Sequence, residues 1–427
     1  MEIQKLYQKY VECRKVSTDT RKIEAGCIFF ALKGEKFDGN QFAAKALDLG
    51  ASYAVIDDAS VAKDERYILV NDVLATLQLL AIHHRDQLEM PVIGLTGSNG
   101  KTTTKELIKE VLAARYKVFA TQGNWNNHIG VPLTILSLSD EFEIAVIEMG
   151  ANHVGEIAAL CKIAKPTHGL ITNIGKAHIG TFGGFENIIR GKSELYQHLI
   201  TNNGIVFINS QDHILHNMAK RFNNPFFYPS KGDYYQCEFI AADPFVRLKS
   251  EDGTELQTQI IGAYNFHNIA VALCIGKFFD VPSGKALQAI ASYVPSNNRS
   301  QIIKRGSNTI IMDAYNANPS SMQVAVENLA NMSAQKKVLI LGDMFELEEE
   351  AEFEHSNLGK LISEKKFDEI FLCGELMAFA AKHAKQALHF ENKQQLISHL
   401  KEHKIENALI LLKASRGIGL ETLVDYL

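Results

Sequence analysis

Apolar residues fall along this chain in short unbroken runs, each ending in glycine or polar residues and followed by a stretch of helical character. PVIGLTGSNG, EIAVIEMGANH, HGLITNIGKAH and GIVFINSQD form one set. NTIIMDAYNAN, KVLILGDM, DEIFLCGE and NALILLKASRG form a second, after about residue 300. Such runs predict strands buried on both faces of a parallel sheet, with helices as crossovers. The first ~85 residues differ, with short strands (CIFFAL, YAVID, YILV) around one helix (NQFAAKALDLG). The expected fold is therefore α/β with three domains, at 1–86, 87–297 and 298–427. VPSNNRSQ, near 294 to 301, is read as the linker before the last, because proline, serine and asparagine break regular structure.

Composition narrows the classes. With 427 residues, 46% of them hydrophobic, the chain can bury several cores. A net charge of -5 argues against a nucleic-acid partner. Cys13, Cys27, Cys161, Cys237, Cys274 and Cys373 are scattered without a Cys-x-x-Cys pair, so they read as small buried apolar residues in a reducing compartment. No run is long enough to span a bilayer and the first residues do not resemble a signal peptide, so a cytoplasmic protein is expected.

Polar residues gather at the ends of the runs, where ligands bind in parallel sheets. The loop GSNGKTTTK stands between a strand and a helix with Leu107, Ile108, Val111 and Leu112 on one face. It departs from the strict phosphate-loop pattern at Leu95, but the physics holds. Gly97 and Gly100 let backbone N–H groups approach phosphates, Lys101 reaches the outer ones, and the hydroxyl of Thr102 or Thr103 can bind Mg²⁺. Glu148, at the end of EIAVIEMG, reads as the acidic metal partner rather than a solvated carboxylate. His178, in NIGKAHIGTFGG, reads from pattern alone equally well as structural or as a ligand. No guanine-reading N-K-x-D motif is present. The last set of strands has its own polar ends: Asp313, Tyr315, Asn316 and Asn318; Asp343 and Glu346; Lys413, Ser415 and Arg416. Sites between domains commonly join two substrates and a nucleotide. The bland reading is that each is a turn, and Asn318-Pro319 is also a good start to a helix.

GSNGKTTTK, TQGNWNNHIGVPLTIL, EMGANHVGEI, NIGKAHIGTFGG, GKSELYQ, GAYNFHN, DAYNANPSSM, LGDMFELEEEAEFEH and LLKASRG stand in the order found in the Mur ligases. STDTRKIEAGCIFFALKGEKFDGNQF resembles that family's uridine-nucleotide segment, so the resemblance covers nearly the whole chain. It implies a uridine-nucleotide-binding first domain, a central P-loop ATPase-like domain and a Rossmann-like last domain. The activity implied is ATP-dependent joining of D-alanyl-D-alanine to the C-terminal carboxylate of UDP-N-acetylmuramoyl-tripeptide through an acyl phosphate. A monomer would suffice.

By the same resemblance, Gly97, Ser98, Asn99, Gly100, Lys101, Thr102 and Thr103 hold ATP phosphates. Asn265, His267 and Asn268 lie on the adenine side, and Arg299 and Asp313 reach the nucleotide from the last domain. Thr102, Glu148 and His178 surround magnesium. Lys192, otherwise a solvated helix lysine, matches the residue carbamylated by CO₂ to hold a second magnesium. Lys101, Glu148, His178 and Lys192 form the catalytic set. Substrate contacts fall on Ser17, Thr18, Asp19, Arg21 and Asp38, on Asn124, Asn126 and Asn127, and on Tyr315, Asn316 and Asn318. For Arg21 a plain surface arginine is the competing reading, and for the Asn124–Asn127 stretch a polar turn is. Lys101 and Arg299 lie on different domains and must meet at one ATP, so domain closure is expected.

The chain departs from the family pattern at Ala414 in KASRG, Glu348 in ELEEE and Asn40 in FDGNQF. The rival ligase that adds the third residue of the peptide carries an Asp-Asn-Pro-Arg motif, which is absent here. A nucleotide-dependent module without ligase activity is the alternative from another class.

Overall fold

The computed structural model describes residues 2–296 and 299–427. The expected boundary between residues 297 and 298 lies outside the described residues, as does the middle of the expected linker.

The central unit carries a six-stranded sheet in the order Phe226–Tyr228, Ile205–Asn209, His168–Ile171, Val92–Thr96, Ile144–Glu148, Val118–Ala120, parallel throughout. Every residue of Val92–Thr96 and Ile144–Glu148 is buried, as unbroken apolar runs require when helices cover both faces. The register pairs Leu95 with Glu148, so the carboxylate ends its strand beside the start of the phosphate loop. A three-stranded antiparallel sheet, Glu238–Ala242, Phe245–Lys249 and Glu255–Ile261, extends this unit. The reading of unbroken runs missed it, because Glu255–Ile261 alternates exposed and buried positions and shows water one face.

The C-terminal unit orders its strands Gln301–Arg305, Asn308–Met312, Leu409–Lys413, Lys337–Gly342, Glu369–Cys373, Leu388–Phe390. All pairs are parallel except the first, an antiparallel edge. The N-terminal unit has a parallel four-stranded sheet, Val16–Ser17, Ile28–Phe30, Tyr53–Ile56 and Tyr67–Leu69 in spatial order. It holds more than the one expected helix: Ile3–Cys13 and Val73–Arg85 also pack there. The first was illegible because only Leu6 and Tyr10 are buried along it.

Ile3–Cys13 and Val73–Arg85 together pin this unit to the central one. Tyr10 Oη donates to Leu136 O at 2.6 Å, and His84 Nε2 lies 3.0 Å from Leu138 O. Buried Arg85 donates to Ala164 O, Leu88 O, Met90 O and Lys165 O. Its charge thus meets the carbonyl end of helix Glu156–Ala164, the negative pole of the helix dipole, rather than a carboxylate. No helix among the described residues is long and apolar enough to cross a membrane.

Candidate active site

The phosphate loop connects Val92–Thr96 to helix Lys101–Ala113 and is held by the neighbouring strand's exit. Ser98 N donates to Asn173 O, and Asn99 N donates to Asn173 Oδ1. Ser98 Oγ donates to Gly175 O at 2.9 Å, while Thr172 Oγ1 donates to Asn99 O at 2.7 Å. Gly97 has φ +148, and a Cβ there would stand 2.0 Å from Thr172 Oγ1. Gly100 has φ +76 and faces the side chain of Asn268. Only glycine fits at either position. Asn268 Nδ2 in turn donates to Asn265 Oδ1, and both asparagines are buried.

Lys101 Nζ donates to Gly97 O at 2.7 Å and Ser98 O at 3.3 Å, so the ammonium sits inside the curl of the loop. Burial lowers its pKa, Glu148 opposes the fall, and Arg299 adds to it. Buried Lys192 donates to Ala151 O at 3.1 Å. Burial first and the charge of Lys101 second hold its pKa well below the usual lysine range, against Glu156 and Glu194. Lys101 thus shares one electrostatic neighbourhood with Glu148, Arg299 and Lys192, in which Arg299 presses Lys101, and Lys101 presses Lys192, away from the charged form.

Glu148 is almost wholly buried. Its Oε1 accepts from Asn126 Nδ2 at 2.8 Å, while Oε2 is buried without a hydrogen-bond partner. An orphaned buried carboxylate oxygen suits a cation. Buried Thr102 lies in the first turn of the helix, and His178, with φ +58, sets Nδ1 against Glu346 Oε2. Among the described residues no three His, Cys, Asp or Glu side chains gather into a metal cage. Magnesium shared with phosphates needs only one or two carboxylates, so the residues fit.

The C-terminal unit closes directly on this loop. Asn318 Nδ2 donates to Asn99 Oδ1 at 2.8 Å while its Oδ1 caps helix Pro319–Asn331. Lys176 N donates to Ser320 Oγ, and Lys176 Nζ pairs with buried Glu354 at 2.7 Å. Tyr264 and Ser300 share a hydrogen bond of 2.8 Å. Asp313 Oδ2 accepts from buried Lys413 at 2.6 Å. Arg299 stacks on Tyr315 at 3.6 Å, with Arg416 on the same ring at 5.4 Å.

Other expected residues are engaged elsewhere. Asn127 Oδ1 accepts from Ile129 N and Gly130 N at the start of helix Gly130–Ile135. Asn126 N donates to Asn124 O, and Asn316 Oδ1 accepts from Ala317 N. His267 lines a cavity of about 760 Å³ with Phe239, Lys249 and Phe266, and no phosphate-loop residue lines it. In the N-terminal turn, Ser17 Oγ donates to Asp19 O, Thr18 lies between them, and the Arg21 guanidinium grips Asp19. That guanidinium bond holds the Asp19 carboxyl down at about 2. Asp38 Oδ1 accepts from Asn40, whose amide also bridges to Asp57, so Asn40 is a buried structural tie. Glu348 takes φ +48, a backbone that favours glycine, and Ala414 packs where a Cβ on Gly342 would touch it. Sequence reasoning overlooked Asn173, Ser320, Lys176 and Glu354. Only Asn173 carried a signal, as part of the first polar residue pair after an apolar strand.

Matches to known families cover the chain in three pieces: a Mur ligase family catalytic domain at 12–85, a Mur ligase middle domain at 95–276, and a Mur ligase glutamate ligase domain at 298–416. The chain is 37% identical to UDP-N-acetylmuramoyl-tripeptide–D-alanyl-D-alanine ligase of Bacillus subtilis, covering 96% of this chain and 92% of that one. The ligase of the same name from Escherichia coli is 33% identical, with 96% and 93% covered. Among solved structures, MurF of Acinetobacter baumannii superposes with a TM-score of 0.87 at 30% identity, covering 97% of this chain and 93% of that one. MurF ligase of Thermotoga maritima in complex with ADP gives 0.85 at 28%, with 97% of each covered. With relatives of this identity along nearly its full length, the chain belongs to the Mur ligase family.

Proposed function

We propose that this chain is the ATP-dependent ligase that joins D-alanyl-D-alanine to UDP-N-acetylmuramoyl-tripeptide, releasing ADP and phosphate. The observation that carries the reading is closure of the C-terminal unit on the phosphate loop through Asn99 and Asn318. The loop and a second set of polar strand ends are thereby brought together, as a reaction of two substrates and ATP requires.

A carboxylate resists amines because its charge repels them and its oxygen leaves badly. Transfer of the γ-phosphoryl group to the tripeptide carboxylate gives an acyl phosphate and ADP. The dipeptide amine then attacks the acyl carbon, phosphate leaves, and an amide remains. Lys101 and the N–H groups of residues 97–102 hold the transferring phosphoryl group, and Arg299 adds charge from the facing unit. Thr102, Glu148 and His178 would hold magnesium, which when bound neutralises phosphate charge. Lys192 is proposed to carry a carbamate. Burial first and the charge of Lys101 second disfavour its ammonium form, the direction that addition of CO₂ to the amine requires, and the adduct would be an acidic ligand. Asn265 and Asn268 would face the adenine side. The tripeptide and its uridine diphosphate would meet Asn124, Asn126 and the turns at residues 17–21 and 38.

The test is phosphate release from purified protein with Mg-ATP, UDP-N-acetylmuramoyl-tripeptide and D-alanyl-D-alanine, each omitted in turn. Release that needs all of them, with a product enlarged by the dipeptide, establishes the ligase. Release without the dipeptide would point to a hydrolase or a module that does not ligate. Turnover only with the UDP-linked dipeptide and a free diamino acid would point to the ligase one step earlier.

A further inference from the structure

Lys105 lies one turn past Lys101 on the phosphate helix, yet its side chain is only 1% exposed. Its Nζ donates to Thr121 O at 2.6 Å and lies 2.9 Å from Glu106 Oε1. A buried ammonium is costly even when bonded, and a methionine would fill the same space. The donor therefore needs a reason of its own.

Thr121 supplies one. It follows the edge strand Val118–Ala120, and its N–H donates to Val146 O. Its Oγ1 accepts the backbone N–H of Glu148 at 3.0 Å. Asn126, five residues on, holds Glu148 Oε1, and Gly150 N donates to Asn126 O. The segment from Thr121 to Asn126 thus grips Glu148 at backbone and carboxylate. Lys105 ties the start of that segment to the helix that carries Lys101 and Thr102.

We propose that Lys105 is a positioning residue: through Thr121 it keeps the Glu148 carboxylate in register with the phosphate loop, so that Oε2 and the Thr102 hydroxyl can share one divalent cation. The inference rests on the reading of Thr102 and Glu148 as the magnesium site of a ligase. Partners behind metal ligands typically change affinity or activity by roughly 10–100-fold when removed.

The probe is Mn²⁺, titrated onto the full chain with ADP and followed by electron paramagnetic resonance, beside the Mg²⁺ dependence of the ligase rate. Lys105→Met and Thr121→Val are each expected to weaken Mn²⁺ by roughly 10–100-fold and to raise the Mg²⁺ needed for half-maximal rate. The KM for the UDP-linked substrate should stay unchanged. Thr121→Ser, which keeps the hydroxyl, should bind as wild type, and the Lys105 and Thr121 losses should be less than additive when combined. Should Lys105→Met fail to fold, Lys105→Gln takes its place, since it lacks the reach to Thr121 O but keeps a polar end. Lower thermal stability with wild-type Mn²⁺ affinity in the Lys105 and Thr121→Val variants would overturn the proposal and leave Lys105 a packing residue. Failure of the wild-type protein to bind Mn²⁺ with ADP, or to make the amide, would instead remove the underlying ligase reading.

Discussion

Lys192 is a lysine kept from behaving as one. Burial and the nearby charge of Lys101 disfavour its ammonium form, while the backbone leaves it a single carbonyl, Ala151 O. A neutral amine in that position reacts with CO₂ where a protonated one cannot. Lys192→Ala is expected to lower amide formation by on the order of 100-fold or more, with partial recovery on adding acetate or another short carboxylic acid. Full activity without such additions would remove the carbamate from the mechanism. His168 offers a cleaner view of burial. Its ring packs edge-on to Phe278 at 5.4 Å, Nδ1 meets Thr167 Oγ1, and desolvation alone pushes its pKa down to about 4. Because the folded value lies below the unfolded one, ~6.5, the unfolded chain binds the proton first as pH falls. Stability is intact above pH ~6.5 and falls by up to about 3 kcal/mol as pH drops through the folded value. Urea midpoints measured across that window should drop more steeply for wild type than for His168→Phe. Parallel curves would mean that the ring titrates normally.

At the scale of elements, the strand, loop and helix around Lys101 show which parts of a site a sequence can disclose. Glycine, lysine and threonine at fixed spacing between an apolar run and an amphipathic stretch point to phosphate with little ambiguity, and Glu148 at a strand end points to a cation almost as directly. Their supports are another matter. Nothing in the sequence marks Lys105, and Asn127, expected as a substrate contact with a polar turn as its rival, accepts the N–H groups of Ile129 and Gly130 where Gly130–Ile135 begins. The antiparallel sheet was missed because its alternating strands carry no unbroken run. His267, one residue from the asparagine that faces Gly100, lines a cavity away from the loop because neighbouring helix positions diverge by about 100°. The loop's shape depends on contacts that no spacing reveals. Gly97→Ala would drive a methyl into Thr172 and strain a backbone at φ +148. The expected cost is about 1–3 kcal/mol together with loss of ADP binding by calorimetry. Unchanged ADP affinity would show that the loop tolerates being pushed off its neighbour.

For the whole molecule, closure was expected from the need to bring Lys101 and Arg299 to one ATP, and in this structure Arg299 lies close enough to act on Lys101. The bridge is polar and partly exposed: Lys176 with Glu354, His178 with Glu346, Asn318 with Asn99. Partly exposed pairs contribute about 0.2–1 kcal/mol each, enough to bias a hinge and too little to lock it. Lys176→Met with Glu354→Gln is therefore expected to shift the population toward open forms. Small-angle scattering should show a larger mean radius, and the KM for ATP should rise severalfold, with the unfolding midpoint little changed. Identical scattering profiles would place the hold on closure elsewhere.

The bond between Asn99 and Asn318 gives one residue two duties. A residue of the phosphate loop is also the doorjamb against which the C-terminal unit shuts. Opening the door breaks a hydrogen bond of the loop, and disturbing the loop loosens the door, so nucleotide exchange and domain swing would each bias the other.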